Sequence, residues 1–302
     1  MSTSQVKKAT IIVPIKNMAG KLTNLESWLS TALQLEIEVI LILDGCTDRT
    51  DDEIRLAGYY SYSNCIPVYT NDIGPGMARN LGFQYAKGTW VCFWDSDDIG
   101  DVRQLLEGIT ILEKNNSQVG IGGYRIALQE FDSRETQIRY FPVNNSLDLV
   151  ILNPGIWRMI FNRSLLANCK FGRSRMGEDQ VFLASALAMS PKIWFFDFSL
   201  YTYFKGIPGQ LTSSNIGEGE LLISISEIES VLIESKVEHR KYLYVMILRL
   251  SLTLLRRHPF TFARYAFPRF VRILIKPHTN SIYSFIGALV FIARNRATGE
   301  KN

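Results

Sequence analysis

Hydrophobic and polar positions follow two rhythms over the first hundred residues. Thr10–Ile15 is rich in β-branched residues, and Glu38–Leu43 is almost wholly apolar, the pattern of a parallel strand covered on both faces. Between them Leu22, Leu25, Leu29 and Leu33 recur at helical spacing and predict a helix within Gly20–Leu33. Asp48–Leu56 reads as a second helix and Pro67–Thr70 as a short strand. Gly74-Pro75-Gly76 opens a third helix, with proline suited to its first position, and Gly88 closes it as a C′ residue. A strand over 89–94 runs into Asp95-Ser96-Asp97-Asp98, and a helix over 101–114 follows. This alternation predicts a doubly wound α/β sheet of parallel strands joined by right-handed crossovers.

Beyond residue 114 the pattern is less regular. Val119–Glu130 and Gln137–Phe141 read as strands, paired as a hairpin. Ile156–Phe161 precedes a short helix near Ser164–Ala167; Gly177–Met189 reads as a helix and Lys192–Phe196 as a strand. Mixed or antiparallel strands at the edge of a parallel sheet accommodate these runs. From about residue 216 the chain turns helical. Leu243–Leu255 is apolar almost all round and is broken by Arg249. Further on, Phe260, Phe262, Tyr265, Phe267 and Phe270 interleave with Arg264, Arg269 and Arg272 between prolines at 259, 268 and 277. The last apolar run, Ile282–Ala293, has 12 residues, short of the ~20 that span a membrane.

Composition adds two constraints. With 302 residues and 47% hydrophobic content the chain can bury a large core. Its four cysteines, Cys46, Cys65, Cys92 and Cys169, show no C-x-x-C spacing, so free thiols in the cytoplasm are expected rather than a zinc site or disulfide framework. The run Ile11–Ile15 is too short for a signal-peptide core, so secretion is not indicated. The net charge of +4 hides an asymmetry: residues 240–302 carry 12 Lys/Arg and one acid, whereas the first 239 carry 21 basic and 28 acidic residues. A basic tail on an acidic body suggests an anionic partner for the tail. His239, His258 and His278 all fall late in the chain, so chemistry in the body rests on carboxylates.

Three carboxylates crowd the end of the 89–94 strand. Like charges this close raise each other's pKa unless a cation lies among them, and a hard divalent ion held by oxygens is the simplest such partner. An acidic turn capping the next helix is the bland alternative. If the segment stays extended, Asp95 and Asp97 face the same side. Strand ends at Pro14-Ile15-Lys16-Asn17 and Asp44-Gly45-Cys46-Thr47-Asp48, and the helix start bearing Arg79 and Asn80, converge on the same sheet edge, where open α/β sheets bind ligands. Helix N-termini and arginines favour phosphate there. Arg173 and Arg175, in the stretch Lys170–Gly177, either close over a pyrophosphate or are simply solvated; Trp157 is either an acceptor-site aromatic or core.

Taken together, Ile11-Ile12-Val13-Pro14, Asp44-Gly45-Cys46-Thr47-Asp48, Gly76-Met77-Ala78-Arg79-Asn80-Leu81-Gly82, Ala86-Lys87-Gly88, Phe93-Trp94-Asp95-Ser96-Asp97-Asp98 and Gly177-Glu178-Asp179 resemble family 2 glycosyltransferases over roughly residues 8–215. The resemblance implies a GT-A fold, a Rossmann-like mixed α/β sheet flanked by helices. It implies a catalytic domain over 1–215, leaving 216–302 as a helical, basic and hydrophobic extension. It also implies inverting transfer from a nucleotide-sugar, with a UDP-sugar as the expected donor and Mn²⁺ or Mg²⁺ as the metal. By the same resemblance Pro14 lines the base and ribose pocket, Asp44 contacts the base, and Arg79 helps hold the nucleotide. Asp97 is the direct metal ligand, with Asp95 near the metal and ribose, and the pair Glu178-Asp179 supplies the catalytic base, Asp179 foremost. Leu43 stands where many relatives have a second aspartate, Cys46 replaces a common serine, and Val102 stands near a common proline, which puts donor choice in doubt.

The expected acceptor is a saccharide or lipid-linked saccharide, recognised by segments near 122–158 and 201–215. The C-terminal segment either packs on the catalytic body or touches an anionic membrane surface, which would make the protein peripheral at the inner face of the cell membrane; nucleic acid is not expected as a partner. A nucleotidyltransferase on a similar scaffold and a non-catalytic nucleotide-sugar-binding subunit remain the alternatives.

Overall fold

A computed structural model describes residues 8–129, 136–141, 147, 151, 154–205, 217–235 and 240–275. The apolar run 282–293 and the segment 206–215 lie outside them. Among the described residues nine strands form one sheet. Its first half is parallel: β1 (Ala9–Ile15), β2 (Glu38–Asp44), β3 (Cys65–Thr70) and β4 (Trp90–Phe93) lie in the order β3-β2-β1-β4. The crossovers are α1 (Thr23–Gln34), α2 (Thr50–Leu56) and α3 (Pro75–Tyr85). Strand alternation divides the core between the two faces. Ile11, Val13 and Ile15 pack with Leu25 and Leu29 of α1, whereas Ile12, Ile40 and Ile42 pack with Ala78 of α3 on the other side.

The second half is mixed, as the irregular pattern predicts. After β4 come a two-residue strand, β5 (Ile99–Gly100), and α4 (Val102–Lys114), whose N-cap Asp101 accepts from the Arg103 and Gln104 N–H groups. β6 (Val119–Gln129), β7 (Thr136–Phe141), β8 (Met159–Asn162) and β9 (Ile193–Lys205) extend the order to β4-β8-β6-β9-β5, with β7 also on β6. β8 is antiparallel to both neighbours, and β6 and β7 form the expected antiparallel pair. β9 is far longer than the predicted 192–196. It bulges against β6, so that Ile121 pairs with Phe195 but Tyr124 with Tyr201.

Gly88 corrects an expectation. α3 ends at Tyr85, and Gly88 is not its left-handed cap. A Cβ there would stand 2.5 Å from the Ala9 carbonyl carbon and the Thr10 nitrogen, so glycine is needed because the chain presses on β1. A buried polar knot fixes that crossing: Thr10 donates to Glu38 at 2.6 Å, Glu38 also accepts the Lys87 N–H, and the Gly88 N–H donates to Thr10 Oγ1.

The helical layer comprises α5 (Glu178–Ala188), α6 (Glu218–Glu234), α7 (Arg240–Arg257) and α8 (Phe267–Ile275), the last reached through a short turn and a π-helical stretch, Phe262–Ala266. Ile225 of α6 and Ile247 and Leu254 of α7 share one apolar cluster with Phe93 of β4 and Phe182 of α5. The described part of the C-terminal region therefore packs on the body. The stacked pair Phe171–Phe182, with centroids 4.3 Å apart, lies beside Phe93 in this cluster.

Candidate active site

The carboxyl ends of β1, β2 and β4 and the start of α3 meet at one edge, and the segment 170–179 folds over them. Arg79 is the centre of this arrangement. Its side chain is 7% exposed, and it joins two acidic segments: Nη2 bonds Asp95 Oδ1 at 2.5 Å and Nη1 bonds Glu178 Oε1 at 3.1 Å. Its guanidinium also lies 5.4 Å from the Phe171 ring centre. Asn80, next along α3, clamps the same segment by bonding both backbone groups of Phe171. A Cβ on Gly76 would meet the Gly172 carbonyl at 2.6 Å and Glu178 Cβ at 2.9 Å, so the first turn of α3 is pressed against the catalytic candidates.

Asp95-Ser96-Asp97-Asp98 does not run extended. It turns, with the Asp98 N–H 3.4 Å from the Asp95 carbonyl, yet Asp95 and Asp97 stay partly exposed while Ser96 and Asp98 are buried. Asn24 supports the turn by donating to the Asp97 carbonyl at 2.6 Å. Asp98 is structural: it accepts from the Tyr201 hydroxyl and the Phe204 N–H, and Tyr201 in turn accepts from the Asp95 N–H. Burial, reinforced by Asp97 and Asp95, pushes Asp98 up to about 9, so it is neutral at pH 7.

Among the described residues no group of three or more His, Cys, Asp or Glu could hold a metal ion. The partly exposed Asp95 and Asp97 fit a different arrangement, in which one or two carboxylates hold a hard divalent ion whose other ligands are substrate phosphate and water.

Glu178 and Asp179 open α5 after Gly177, which takes the left-handed conformation at φ 84°. Burial and the Asp179 charge raise Glu178 to about 7 against the pull of Arg79. Asp179 is raised by burial as well, with Arg249 and Arg79 opposing; its Oδ1 accepts the adjacent Gln180 N–H. Proton affinity above the carboxylate norm suits a general base.

The remaining candidates divide. Asp44 is buried, and its two oxygens accept the Ile73 and Gly74 N–H groups at 2.7 and 2.8 Å, bracing the loop before α3 while leaving lone pairs for a ligand. Pro14 lies within β1 beside Ile42. Arg175 is exposed and bonds Asp72 at 2.8 Å; Lys16 pairs with the same carboxylate. Arg173 points away toward α6, where Glu227 accepts its N–H. Trp157 is half-buried in an aromatic stack, 4.8 Å from Tyr201 and 5.9 Å from Tyr203. The sequence places Lys16 at a strand end and residue 201 in an acceptor segment without showing their partners, and it gives no role to Asp72, which stands in an unpatterned loop whose only signal is proximity to the Gly74-Pro75 helix start.

The family model for "Glycosyl transferase family 2" matches residues 10–176, more than half of the chain. The chain belongs to glycosyl transferase family 2. Curated family relatives include the uncharacterized glycosyltransferase EpsJ of Bacillus subtilis, 28% identical over 67% of this chain and 62% of EpsJ. Another is the poly(ribitol-phosphate) beta-N-acetylglucosaminyltransferase TarS of Staphylococcus aureus, 25% identical over 68% of this chain and 37% of TarS. The chain thus matches less than two thirds of the length of either relative. The fold is GT-A: S. aureus TarS residues 1–349 in complex with UDP-GlcNAc superposes with a TM-score of 0.61, 21% identity, and coverage of 93% of this chain and 79% of that one. The mannosyltransferase PcManGT of Pyrobaculum calidifontis, in complex with GDP-Man and Mn²⁺, gives 0.54 at 16% identity, covering 95% and 87%.

Proposed function

We propose that this family 2 enzyme transfers a sugar from a UDP-sugar to a hydroxyl of a saccharide or lipid-linked saccharide, with inversion and with Mn²⁺ or Mg²⁺. The observation that carries the reading is the Asp95–Arg79–Glu178 bridge, because it draws a phosphate-side acid and a base-side acid into one cleft. Asp97 and Asp95 would hold the metal, which when bound offsets charge on the departing diphosphate. Asp44 uses its spare lone pairs to accept from the base, and Pro14 borders the nucleoside. Arg79 keeps Asp95 and Glu178 in register. Arg175 and Lys16, both already on Asp72, lie within the same mouth and exchange that carboxylate for the diphosphate. Arg173, tied to Glu227, has the weaker claim. Asp179 removes the proton of the acceptor hydroxyl as the hydroxyl attacks the anomeric carbon, and displacement from the face opposite the leaving group inverts the centre. The nucleotide complexes of the two structural neighbours support a nucleotide-sugar donor.

The test is a panel of nucleotide-sugars with Mn²⁺, with and without chelator. Release of nucleoside diphosphate that stops on chelation supports the reading; undiminished transfer in chelator removes the metal. Pyrophosphate release from a nucleoside triphosphate would favour a nucleotidyltransferase, and donor binding without turnover a non-catalytic subunit.

A second surface bears on the acceptor. Phe260 is 89% exposed, Tyr265 and Phe267 are half-exposed, and Arg264 and Arg272 stand among them, while no helix of the described residues is long and apolar enough to cross a membrane. Exposed aromatics with arginines suit an anionic bilayer interface. Sedimentation with anionic vesicles should fall in Phe260→Ser/Phe267→Ser; unchanged sedimentation would exclude this surface.

A further inference from the structure

The stretch from Lys170 to Gly177 has no helix or strand of its own, so its backbone groups depend on partners from outside. α3 supplies them at one end, where Asn80 bonds both groups of Phe171. α6 supplies them over the rest. Glu227 accepts the Arg173 N–H at 3.3 Å, Glu220 accepts the Arg175 N–H at 2.6 Å, and Ser224 Oγ donates to the Met176 carbonyl at 2.8 Å. These three positions stand at i, i+4 and i+7, so one face of the helix carries them all. The fit is close. A Cβ on Gly172 would stand 2.5 Å from Glu227 Oε2, and one on Gly177 would stand 3.1 Å from Ser224 Oγ.

What this strap carries makes the grip more than packing. Arg175 crosses the start of α3: a Cβ on Gly74 would stand 3.5 Å from Arg175 Cγ, and the Gly74 N–H is held by Asp44 at 2.8 Å. The Arg175 guanidinium then reaches Asp72 at 2.8 Å. The strap thus runs from α6 to the donor end of the cleft. A carboxylate that accepts a backbone N–H makes a charge-assisted bond, and here the N–H belongs to the residue that bears the cation. Glu220 fixes the backbone from which Arg175 projects, while the guanidinium is left on the side of the mouth. The family match ends at residue 176, so α6 lies beyond it.

We propose that Glu220 of α6 is a positioning residue for the diphosphate of the donor, acting through Arg175. The inference rests on the assignment of Arg175 to the diphosphate. It extends the catalytic unit past residue 215 and through α6, since the backbone beneath Arg175 is held only when that helix is docked.

The experiment measures the Kd of UDP and of GDP with Mn²⁺ by calorimetry on the full chain. It compares the wild type with Glu220→Ala, Glu220→Gln, Arg175→Ala and the double variant Arg175→Ala/Glu220→Ala. Glu220→Ala should raise the Kd of the bound nucleotide by roughly tenfold, the effect of one hydrogen bond to a charged group. Glu220→Gln keeps an oxygen for the Arg175 N–H and should stay within about threefold of the wild type. The double variant should bind no more weakly than Arg175→Ala, because Glu220 acts only through Arg175. Wild-type affinity in Glu220→Ala overturns the inference. So do effects that multiply in the double variant, which mark a general structural role. Where Glu220→Ala lowers the melting temperature, Glu227→Ala takes its place in the cycle with the same expectation. If Arg175→Ala binds like the wild type, or the wild type binds neither nucleotide, the diphosphate assignment falls and this inference with it. If Arg175→Ala is weakened and Glu220→Ala is not, only this inference falls.

Discussion

Two acidic segments meet at Arg79, one at the end of a strand and one at the start of a helix, and their environments make them chemically different. At Asp95-Ser96-Asp97-Asp98 the turn leaves two carboxylates partly exposed, Asp95 on Arg79, and buries the third, whose proton affinity is raised, against Tyr201. At Glu178-Asp179, α6 and α7 pack on the Gly177 that leads in, burial raises the proton affinity of both acids, and Arg79 of α3 bonds Glu178. On the proposed reading the same side chains hold a cation and phosphate in one place and accept a proton in the other. Exposure and the source of the compensating charge decide which.

The sharpest way to break this contrast is Asp179→Asn. Transfer should fall by about 10²–10⁴-fold, the range for a lost general base, while UDP-sugar binding followed by calorimetry persists. Arg79→Met attacks both segments at once. Removing a buried cation from between two acids should cost roughly 3–5 kcal/mol, measured by urea unfolding, and should weaken donor binding.

The pH profile sharpens the difference. The base works deprotonated, and Glu178 and Asp179 titrate as a pair whose affinity for protons is raised, Glu178 to about 7. As pH falls, transfer should therefore decline at a pH above the ordinary carboxylate range, because burial raises the proton affinity of Asp179. The same shift has an opposite effect on stability. The unfolded chain releases the Glu178 proton near the ordinary glutamate value of 4.5 whereas the folded chain keeps it, so stability is lost as pH rises from there to about 7. Glu178→Gln should flatten that slope in melting curves.

The smallest effect is expected inside the strand-end cluster itself. Asp98→Asn replaces an acid that is already neutral and should leave transfer within a few-fold of wild type. Its neighbour's substitution, Asp97→Asn, should raise the Mn²⁺ concentration needed for half-maximal transfer. Equal loss in the two variants would erase the distinction between outward and inward carboxylates.

Much of this was legible in the chain because strand ends announce themselves. Buried runs at β1, β2 and β4 each stop at polar residues, and parallel topology brings those stops to one edge. Glu178-Asp179 is marked by the family resemblance, since a helix start alone suits acids without any chemistry. What periodicity cannot carry is a partnership between side chains distant in sequence. In the sequence Glu178 fits either a helix-start acid or chemistry, and nothing there shows that it is half of the Arg79 bridge. Asp44 fits either an ordinary turn or a ligand contact, and in the fold it holds the Ile73 and Gly74 N–H groups. Arg249 was visible as a break in an apolar helix, but nothing local says what a buried guanidinium faces. The resemblance gives Asp98 no role beside Asp95 and Asp97, and its contacts with Tyr201 and Phe204 of β9 supply a structural one.

β9 has a further consequence. Its bulge sets which residue lies under Asp98, and Tyr201 on that strand ties together the Asp95 backbone, the Asp98 carboxyl and the Trp157 stack. A slip of one residue would turn Tyr201 to the opposite face. The strand acts as a ruler: a residue added to or removed from it before Tyr201 would release the Asp95 backbone and the Asp98 carboxyl at once, whereas side chains elsewhere along β9 can change without disturbing either.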